Sequence, residues 1–406
     1  MAFSHVRNAD TTYGATIPLT LVQDGERVMR ICNACRYCEG FCAVFPAIER
    51  RLAFAEADLV YLANLCHNCG ECLYSCQYAP PHEFAVNVPR LLSTIRQETF
   101  RKYAWPGVFA GLFTRNGLML LVSAVFVPAL WLMAIVMLVE PGVLFTPHSD
   151  QNGSFYRVMP YGIMVGMFGA LAILICLPLV VGLLRFWRDV GEQPALSTAE
   201  TAEKHFGDSR RTLRALRFNV ALVNRRAVAR AMSDAFTLRY LDGDGHGCAY
   251  PGEVPSRIRQ RYHHLTFYGF LLCGAATTAA AVYHHVLGWE APYALVSLPV
   301  VLGMVGGAGL LVGPAGLLWI KMSRNPNLNS PNEAGMDVAF LVMLLLTSIS
   351  GFLLLAWRES FAMGTWLTLH LGWVAGLFLT LPYGKFVHGL YRSLALLRNA
   401  IESQQR

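Results

Sequence analysis

Apolar residues along the chain are gathered into long runs with few interruptions. A helix that crosses the ~30 Å hydrocarbon core of a bilayer needs about 20 mainly apolar residues. Runs of that length lie at residues 118–139, 158–184, 264–287, 293–320, 338–357 and 366–390. The pattern therefore predicts an all-α protein whose larger part is a bundle of about six membrane helices.

Polar segments between the runs predict the domain boundaries. The predicted domains are residues 1–104, an N-terminal domain; 105–187, the first two spans; 188–262, a polar insert; and 263–406, four spans and a tail. Within the first domain, residues 47–65 carry apolar side chains near helical period and are predicted to form one helix. The insert is predicted to be helical over residues 199–241.

Composition agrees with a membrane protein. The 406 residues are 54% hydrophobic and only 15% charged, which is too apolar for a soluble protein of this size. The net charge of +7 is explained by basic residues at the cytoplasmic face, where they contact anionic lipid or an acidic partner. The charge therefore requires no nucleic acid as a ligand.

The positions of the basic residues predict the orientation in the membrane, because cytoplasmic loops are enriched in Lys and Arg. Basic side chains gather between Arg90 and Arg115, in the polar insert and in the tail, whereas the opposite loops hold only Arg157 and Arg358. Both termini, the N-terminal domain and the insert are therefore predicted to be cytoplasmic.

Eight of the eleven cysteines repeat one spacing twice. The copies are Cys32-x2-Cys35-x2-Cys38-x3-Cys42 and Cys66-x2-Cys69-x2-Cys72-x3-Cys76. Each tight loop supplies three thiolates to a [4Fe-4S] cube, and in two-cluster ferredoxins the fourth cysteine of each run binds the other cube. The predicted ligands are Cys32, Cys35, Cys38 and Cys76 for one cluster, and Cys66, Cys69, Cys72 and Cys42 for the other.

Zinc sites and disulfide frameworks also use cysteine pairs of this kind. A zinc site built from two C-x-x-C pairs would leave the middle cysteines of the runs unexplained. A disulfide framework requires an exported domain, and residues 1–30 lack the apolar core of a secretory signal. The spacing therefore favours two iron–sulfur clusters in a helical, ferredoxin-like domain.

Histidines at the ends of two predicted spans are candidate haem ligands, because ionisable side chains at membrane depth are costly and by default indicate function. The candidates are His263, His264, His284 and His285 on the third span and His370 and His388 on the sixth. Eighteen residues of continuous helix would place His370 and His388 on one face, about 27 Å apart.

Two haem-binding pairs are possible if the third and sixth spans are antiparallel neighbours. His388 would pair with His263 or His264 at the inner side, and His370 with His284 or His285 at the outer side. Two axial imidazoles in each pair would hold a b haem. The alternative is that these side chains lie at the membrane interface and bond to the backbone or to lipid headgroups, and for the outer pair both interpretations stay open.

Two further motifs have structural interpretations. The glycines from Gly303 to Gly316 follow no predicted strand, so they indicate close helix packing rather than a dinucleotide loop. Residues 242–253 approach the spacing of a calcium-binding EF-hand, but His246 replaces an oxygen ligand and Pro251 would disrupt the exit helix. We interpret that segment as a tight turn, which would either roof the inner haem or form part of a docking surface.

The segments around these motifs resemble one family. CNACRYCEGFC at residues 32–42, LCHNCGECLYSCQYAPPHEFAVNVP at 65–89, and TLRYLDGDGHGCAYP through RYHHLTFYGF at 237–270 resemble the TcuB/CitB membrane proteins of tricarballylate and citrate utilisation, which are also found as the C-terminal half of CobZ. The histidine arrangement is similar to that of the cytochrome b (gamma-type) subunit of respiratory nitrate reductase.

The resemblance implies a function in electron transfer. A protein of this family in the bacterial inner membrane reoxidises the FADH2 of a separate flavoprotein, a TcuA-like tricarballylate dehydrogenase, and passes electrons through two [4Fe-4S] clusters and one or two b haems to quinone. The sequence contains no flavin-binding fold or catalytic constellation, so we expect no substrate chemistry of its own. The alternatives are a subunit for another flavoprotein, as in the cobalamin pathway of CobZ, and a membrane redox sensor.

Overall fold

The structure, a computed structural model, describes residues 16–147, 154–191, 224–242, 248–249 and 254–404. Regular structure in these residues is helical apart from one antiparallel pair of two-residue strands, β1 (Cys248–Ala249) and β2 (Pro255–Ser256). The predicted all-α fold is therefore confirmed. The part of the insert at residues 199–223 and most of the EF-hand-like segment lie outside the described residues.

Five helices form the described part of the N-terminal domain, from residue 16 onward. They are α1 (Leu19–Cys35), α2 (Val44–Glu49), α3 (Glu56–Leu65), α4 (Glu71–Tyr74) and α5 (Val88–Tyr103). The two cysteine runs begin at the ends of α1 and α3, where the chain leaves the helix. Apolar side chains such as Met29, Leu62 and Leu92 are completely buried between the helices and hold the cysteine loops on a common core.

The prediction of one helix over residues 47–65 is wrong. The chain leaves the helical conformation between α2 and α3, and Leu52 is 83% exposed there. Arg51 instead turns inward to a 2.8 Å ion pair with Asp58. Asp58 also accepts a hydrogen bond from the backbone N–H of Ala55 at the start of α3. The buried pair and the helix cap favour two short helices over one continuous helix.

In the described residues, six helical segments are long and apolar enough to cross a membrane, so the chain is a membrane protein of about six spans, as predicted. In chain order, the first to sixth spans are Asn116–Leu138, Tyr161–Gly191, Ile258–Leu287, Leu298–Ser323, Pro331–Trp357 and Met363–Tyr383. The first span consists of α6 (Asn116–Leu121), a π-helical turn (Val122–Phe126) and α7 (Val127–Leu138). The second, third, fourth and fifth spans are each one helix, and they are labelled α10, α12, α13 and α14 in that order. Short helices α8 (Pro141–Leu144) and α9 (Ser154–Val158) follow the first span, and α11 (Arg225–Phe236) precedes the third.

The predicted sixth span, residues 366–390, is wrong at its C-terminal end. Helix α15 (Met363–Thr380) is followed by a short 3₁₀ turn, and a new helix, α16 (Val387–Ser403), then begins. Pro382 and Gly384 occupy this break, and proline cannot donate the hydrogen bond that would continue the helix. His388 therefore lies in the first turn of α16 and does not share a helix with His370.

The C-terminal helix lies against the N-terminal domain. Glu402 of α16 forms ion pairs with Arg51 at 2.6 Å and with Arg398 at 2.8 Å. Helix α11 packs on the same side of α16, with Ala227 and Ala231 in the domain core. The bundle end that carries the N-terminal domain and α16 is termed the domain end, and the opposite end is termed the far end.

Glycines of the fourth span pack closely against the third span, as predicted. A Cβ atom at Gly306 would lie 2.9 Å from Cys273, and one at Gly309 would lie 2.8 Å from the carbonyl oxygen of Leu265. Only glycine permits this approach of two helix backbones. The packing fixes the third span, which carries four of the candidate histidines, along the length of the fourth.

Candidate cofactor and electron-transfer site

Three cysteines of the first run, Cys32, Cys35 and Cys38, border a cavity at the surface of the N-terminal domain. The cavity has a volume of about 270 Å³, and Cys32, Cys35, Cys38, Cys72 and Cys76 line it. Cys76 comes from the end of the second run. The wall of this first cavity therefore contains all four cysteines that the spacing assigns to one cluster.

A second cavity lies directly behind the first. Its cysteines are Cys42, Cys66, Cys69 and Cys72, so that the last cysteine of the first run faces the loop of the second. Cys72 and Phe45 border both cavities. Two cofactors bound there would be neighbours, although the assignment of individual ligands stays a prediction.

The electrostatics of the cavities favour a cationic occupant. Burial, together with the nearby thiols of Cys38, Cys76 and Cys35, raises the pKa of Cys32 to about 12. Burial and neighbouring thiols also raise the pKa of Cys42 and Cys72 well above the ordinary value. These free thiols are therefore neutral at ordinary pH, and a bound metal would deprotonate the cysteines that it takes as ligands.

The arrangement suits a cluster better than one ion. In the described parts of the chain, no group of three or more His, Cys, Asp or Glu side chains is close enough to hold a single metal ion. A [4Fe-4S] cube is a larger body, and its four thiolates stand apart at its corners. The eight cysteines of the two runs line these two adjoining cavities, which is the grouping of ligands that two cubes would need.

Three arginines hold the loop that begins the second cysteine run. Arg96 and Arg392 each donate a 2.7 Å hydrogen bond to the carbonyl oxygen of Cys66. Arg259 donates a 2.9 Å hydrogen bond to the carbonyl oxygen of His67. We term Arg96, Arg259 and Arg392 the arginine clamp. Its three positive charges lie beside the second cavity, and the cysteine spacing alone contained no signal for it.

His263 and His388 meet at the domain end. Their ring centres lie 6.2 Å apart. An imidazole nitrogen binds a metal at about 2 Å, which places the ring centres of two axial ligands about 6 Å apart. The observed separation of His263 and His388 therefore fits a haem iron held between them.

The ring nitrogens are available for this role. Nδ1 of His388 hydrogen-bonds to the carbonyl oxygen of Lys385, which fixes the ring and leaves Nε2 as the metal-binding nitrogen. Nδ1 of His263 is buried and has no hydrogen-bond partner among the described residues. Burial and the charges of Lys385 and Arg392 lower the pKa of His388 well below its ordinary value, so its imidazole is neutral, the form that binds metals.

His264 faces away from this pair. Its Nε2 lies 3.0 Å from the carbonyl oxygen of Thr237, and its ring stacks on Tyr268. The sequence left His263 and His264 as alternatives because they are adjacent. The structure places His263 next to His388, and it places His264 next to Thr237 of the polar insert.

The outer candidates of the third span contact Tyr161 and each other, and His370 contacts Ser350. His284 stacks on Tyr161 with ring centres 3.8 Å apart, and Nε2 of His285 lies 2.6 Å from the hydroxyl of Tyr161. Nδ1 of His370 lies 2.9 Å from the hydroxyl of Ser350. In the described residues, no ring contact joins His370 to His284 or His285. The outer pair stays a prediction without a supporting contact.

The arginine clamp connects the second cavity to the His263–His388 pair. Arg259 lies one helical turn before His263, and Arg392 lies one turn after His388. Both arginines contact the loop from Cys66 to Asn68. The helices that position the two imidazoles therefore also position the second cysteine loop.

A buried ion network adjoins the clamp. Glu333, at the start of the fifth span, bonds to Arg96 at 2.9 Å and to Lys385 at 2.8 Å. Lys385 also contacts Asp337 at 2.6 Å, and Asp337 pairs with Lys321. Sequence reasoning missed this network, although acidic residues at the start of an apolar run were a signal for it.

Comparison with known proteins covers both the cysteine-containing domain and the membrane bundle. Residues 112–406 match the family model "Citrate utilization protein B", and residues 25–102 match "Citrate utilization protein B Fer4-like domain". The chain is 46% identical over 384 residues to "Citrate utilization protein B" of Escherichia coli, which covers 94% of this chain and 92% of that protein. No solved structure matches the chain. The Fer4-like match contains both cysteine runs, and the other match contains all six candidate histidines. The resemblance found in the sequence is thereby confirmed, and the chain belongs to the citrate utilization protein B family.

Proposed function

We propose that this protein carries electrons from the reduced flavin of a partner dehydrogenase, through two [4Fe-4S] clusters and a b haem, to quinone in the membrane. The observation that carries the proposal is the continuous series of sites from the first cavity through the second to His263 and His388. The similarity to a protein named for citrate utilization supports a role in the use of citrate or a related tricarboxylate.

The two cavities differ in exposure, which supports a direction for the electrons. Tyr37, on the wall of the first cavity, is 67% exposed. Cys66 and Cys69 of the second cavity are each 7% exposed and lie close to the arginine clamp. Nearby positive charge stabilises a reduced cluster and raises its reduction potential. Electrons would therefore enter at the first cavity and move inward to the second.

His263 and His388 are the residues that would hold the haem. A haem with two imidazole ligands supplies a one-electron carrier at the membrane boundary. The two residues orient it through their helices, and the Lys385 carbonyl holds the His388 ring in place. This haem would lie next to the second cluster, because Arg259 and Arg392 tie both helices to the Cys66 loop.

The proposed final electron acceptor of this six-span protein is a quinone in the membrane. A reduced flavin releases two electrons, the clusters and haem carry them singly, and a quinone takes up two electrons and two protons to become quinol. The proposal places the domain end in the cytoplasm, where the flavoprotein docks, in agreement with the distribution of arginines. The same route would serve a flavoprotein with a different substrate.

The test uses purified protein and its copurifying flavoprotein. After anaerobic reduction of the flavin by its substrate, the haem band should appear in the wild type, and added decylubiquinone should then remove it. His388→Ala should retain about eight cluster irons but show no haem band. His264→Ala is the matched control and should behave as the wild type does. Haem reduction in a protein that lacks both clusters would contradict the proposed route.

A further inference from the structure

Helix α11 has an exposed surface that the proposed electron route does not use. The helix begins beside the outer end of α16, where Asn224 bonds to Gln404, and it ends at Phe236, whose ring contacts Phe267 of the third span. We propose that α11 binds anionic phospholipid of the membrane leaflet at the domain end, with its apolar side chains among the acyl chains and its arginines at the phosphate groups. The inference concerns this helix and lipid alone, so it does not depend on the clusters or the haem.

Phe236 is the deepest point of this segment. Side chains of the third span, each one helical turn from the next, bond to three successive carbonyl oxygens: Tyr268 to Phe236, His264 to Thr237, and Gln260 to Leu238. The chain therefore descends along α11 to the level of Tyr268 and then returns outward. Tyr268 lies seven residues, or about 10 Å, beyond Arg261, the last arginine of the span. Phe236 therefore lies where the third span is apolar.

The exposed apolar side chains of α11 continue the lipid-facing surface of the third span. Met232 and Phe236, four residues apart on one face of the helix, are 54% and 43% exposed. Tyr268, which bonds to Phe236, and Leu271, about one turn deeper, are each 42% exposed. Because the third span crosses the membrane, its exposed apolar surface contacts lipid. Met232 and Phe236 extend that surface at the boundary of the membrane.

The rest of the exposed surface of α11 is basic. Arg225, Arg226 and Arg230 are exposed, whereas Asp234, the one acidic residue of this helix, is buried. Within the described residues, none of these three arginines forms an ion pair. Arg230 bonds to the hydroxyl of Tyr240, which occupies only part of a guanidinium with five N–H donors. The helix therefore presents uncompensated positive charge beside its apolar side chains.

The spacing along α11 fits the layers of a membrane. Six residues of helix place Arg230 about 9 Å outward of Phe236, and ten place Arg226 about 15 Å outward. Since Phe236 lies about 10 Å inward of Arg261, Arg230 is near the level of Arg261 and Arg226 is about 5 Å farther out. Lipid head groups occupy a layer of roughly 5–8 Å outside the hydrocarbon core. Both arginines therefore lie at the depth of the phosphate groups.

The chemistry of this surface favours anionic lipid over an acidic protein. Arg226 and Arg230 are four residues apart and hence neighbours on the helix, and guanidinium groups bind phosphate oxygens through paired hydrogen bonds. An acidic protein would satisfy the arginines and leave Met232 and Phe236 in contact with water. A phospholipid supplies phosphate to the arginines and acyl chains to the apolar side chains, which is the combination that binds amphipathic helices to membranes.

The test is photocrosslinking of the full-length holoprotein with p-benzoylphenylalanine in place of Met232. Nanodiscs contain equal amounts of phosphatidylglycerol and phosphatidylcholine, and mass spectrometry identifies the crosslinked lipid. Phosphatidylglycerol should exceed phosphatidylcholine by about tenfold, since arginines near the surface attract anionic lipid. The same amino acid in place of Leu52, which is 83% exposed near the outer end of α16, is the control and should crosslink no lipid.

Charge variants of the crosslinking protein test the arginines. Arg226→Gln with Arg230→Gln should lower the excess of phosphatidylglycerol to nearly the ratio in the nanodisc. Arg226→Lys with Arg230→Lys keeps the charge and should keep most of the excess, which guards against a loss caused by misfolding. Arg27→Gln with Arg30→Gln removes two exposed arginines of α1 and should leave the excess unchanged.

Three results would overturn the inference. The first is the absence of lipid crosslinks at position 232, or equal yields of the two lipids in the protein with native arginines. The second is an excess of phosphatidylglycerol that survives Arg226→Gln with Arg230→Gln. The third is a crosslink to the copurifying flavoprotein in place of lipid, in a sample to which that flavoprotein is added, because it would assign the surface to a protein partner.

Discussion

Both ends of the membrane bundle carry histidines, but the histidines contact different kinds of residue at each end. At the domain end, His263 and His388 come from separate helices, and their ring centres lie 6.2 Å apart. At the far end, His284 stacks on the ring of Tyr161, and His285 lies within hydrogen-bond distance of the Tyr161 hydroxyl. His370 lies beside Ser350. Among the described residues, only the domain end therefore has the contact between imidazoles of separate helices that a haem with two histidine ligands would need.

The ends also differ in what surrounds the histidines. The domain end holds the arginine clamp and the buried network of Glu333 and Lys385, which fasten the helices to the second cysteine loop. The far end holds tyrosine rings that contact the histidines directly. We infer one haem at the domain end and ordinary structural histidines at the far end.

The largest expected effect on stability comes from Glu402, which fastens the helix that carries His388. Glu402→Gln removes a buried carboxylate from Arg51 and Arg398, which then retain only Asp58 as a carboxylate partner, and breaking a buried ion pair costs about 3–5 kcal/mol. Thermal unfolding followed by haem loss should begin at a lower temperature than in the wild type. Glu359→Gln, on an exposed far-end carboxylate, is the control and should leave the transition unchanged.

Acid should weaken the same attachment. Burial alone would raise the pKa of Glu402, but Arg51 and Arg398 outweigh it, and the pKa lies below the ordinary value of 4.5. Since a depressed carboxyl pKa stabilises the fold above its unfolded value, the contribution is complete above about pH 4.5 and is lost as the pH falls through the folded pKa. Wild type should lose stability in this range and Glu402→Gln should lose less; parallel losses would remove Glu402 as the cause.

A smaller effect is expected from the arginine clamp. Arg392→Gln removes a positive charge beside the second cavity, so the reduction potential of that cluster should fall by on the order of tens of millivolts. A redox titration followed by electron paramagnetic resonance measures it. Arg30→Gln, an exposed arginine of α1, should leave the second cluster unchanged. An unchanged reduction potential in Arg392→Gln would show that the arginine clamp does not influence the second cluster.

The smallest effect is expected at the far end. Tyr161→Phe removes the hydroxyl that bonds to His285, at a cost of about 1 kcal/mol. Haem content should stay at the wild-type level, as measured by the pyridine haemochrome spectrum. Haem loss in this variant would show that the far end binds a cofactor and would remove the contrast between the two ends.

Much of this architecture could be predicted from the sequence, because apolar runs and cysteine spacing are local signals. The apolar runs predict six spans. The ferredoxin pattern, in which the fourth cysteine of each run binds the other cluster, predicts that Cys76 lies at the first cavity and Cys42 at the second. The break at Pro382 was missed because apolar residues continue on both sides of it. The choice of His263 over His264 depends on the Thr237 carbonyl, a tertiary contact that no local pattern contains.

The buried charges show the same limit. The predicted helix is interrupted at Arg51, because its ion-pair partners Asp58 and Glu402 come within bonding distance of it only in the folded protein. The arginine clamp draws on α5, the third span and α16, which are far apart in sequence. Charged residues near span ends signal a function, but their partners emerge only from the packing of the helices.

The most direct test of the haem assignment is the haem content of purified wild type, His388→Ala and His370→Ala, with cluster iron measured in each. The account predicts one haem per chain in wild type and in His370→Ala, none in His388→Ala, and about eight cluster irons in all three. Haem retained in His388→Ala, or lost in His370→Ala, would contradict the assignment of the haem to the domain end.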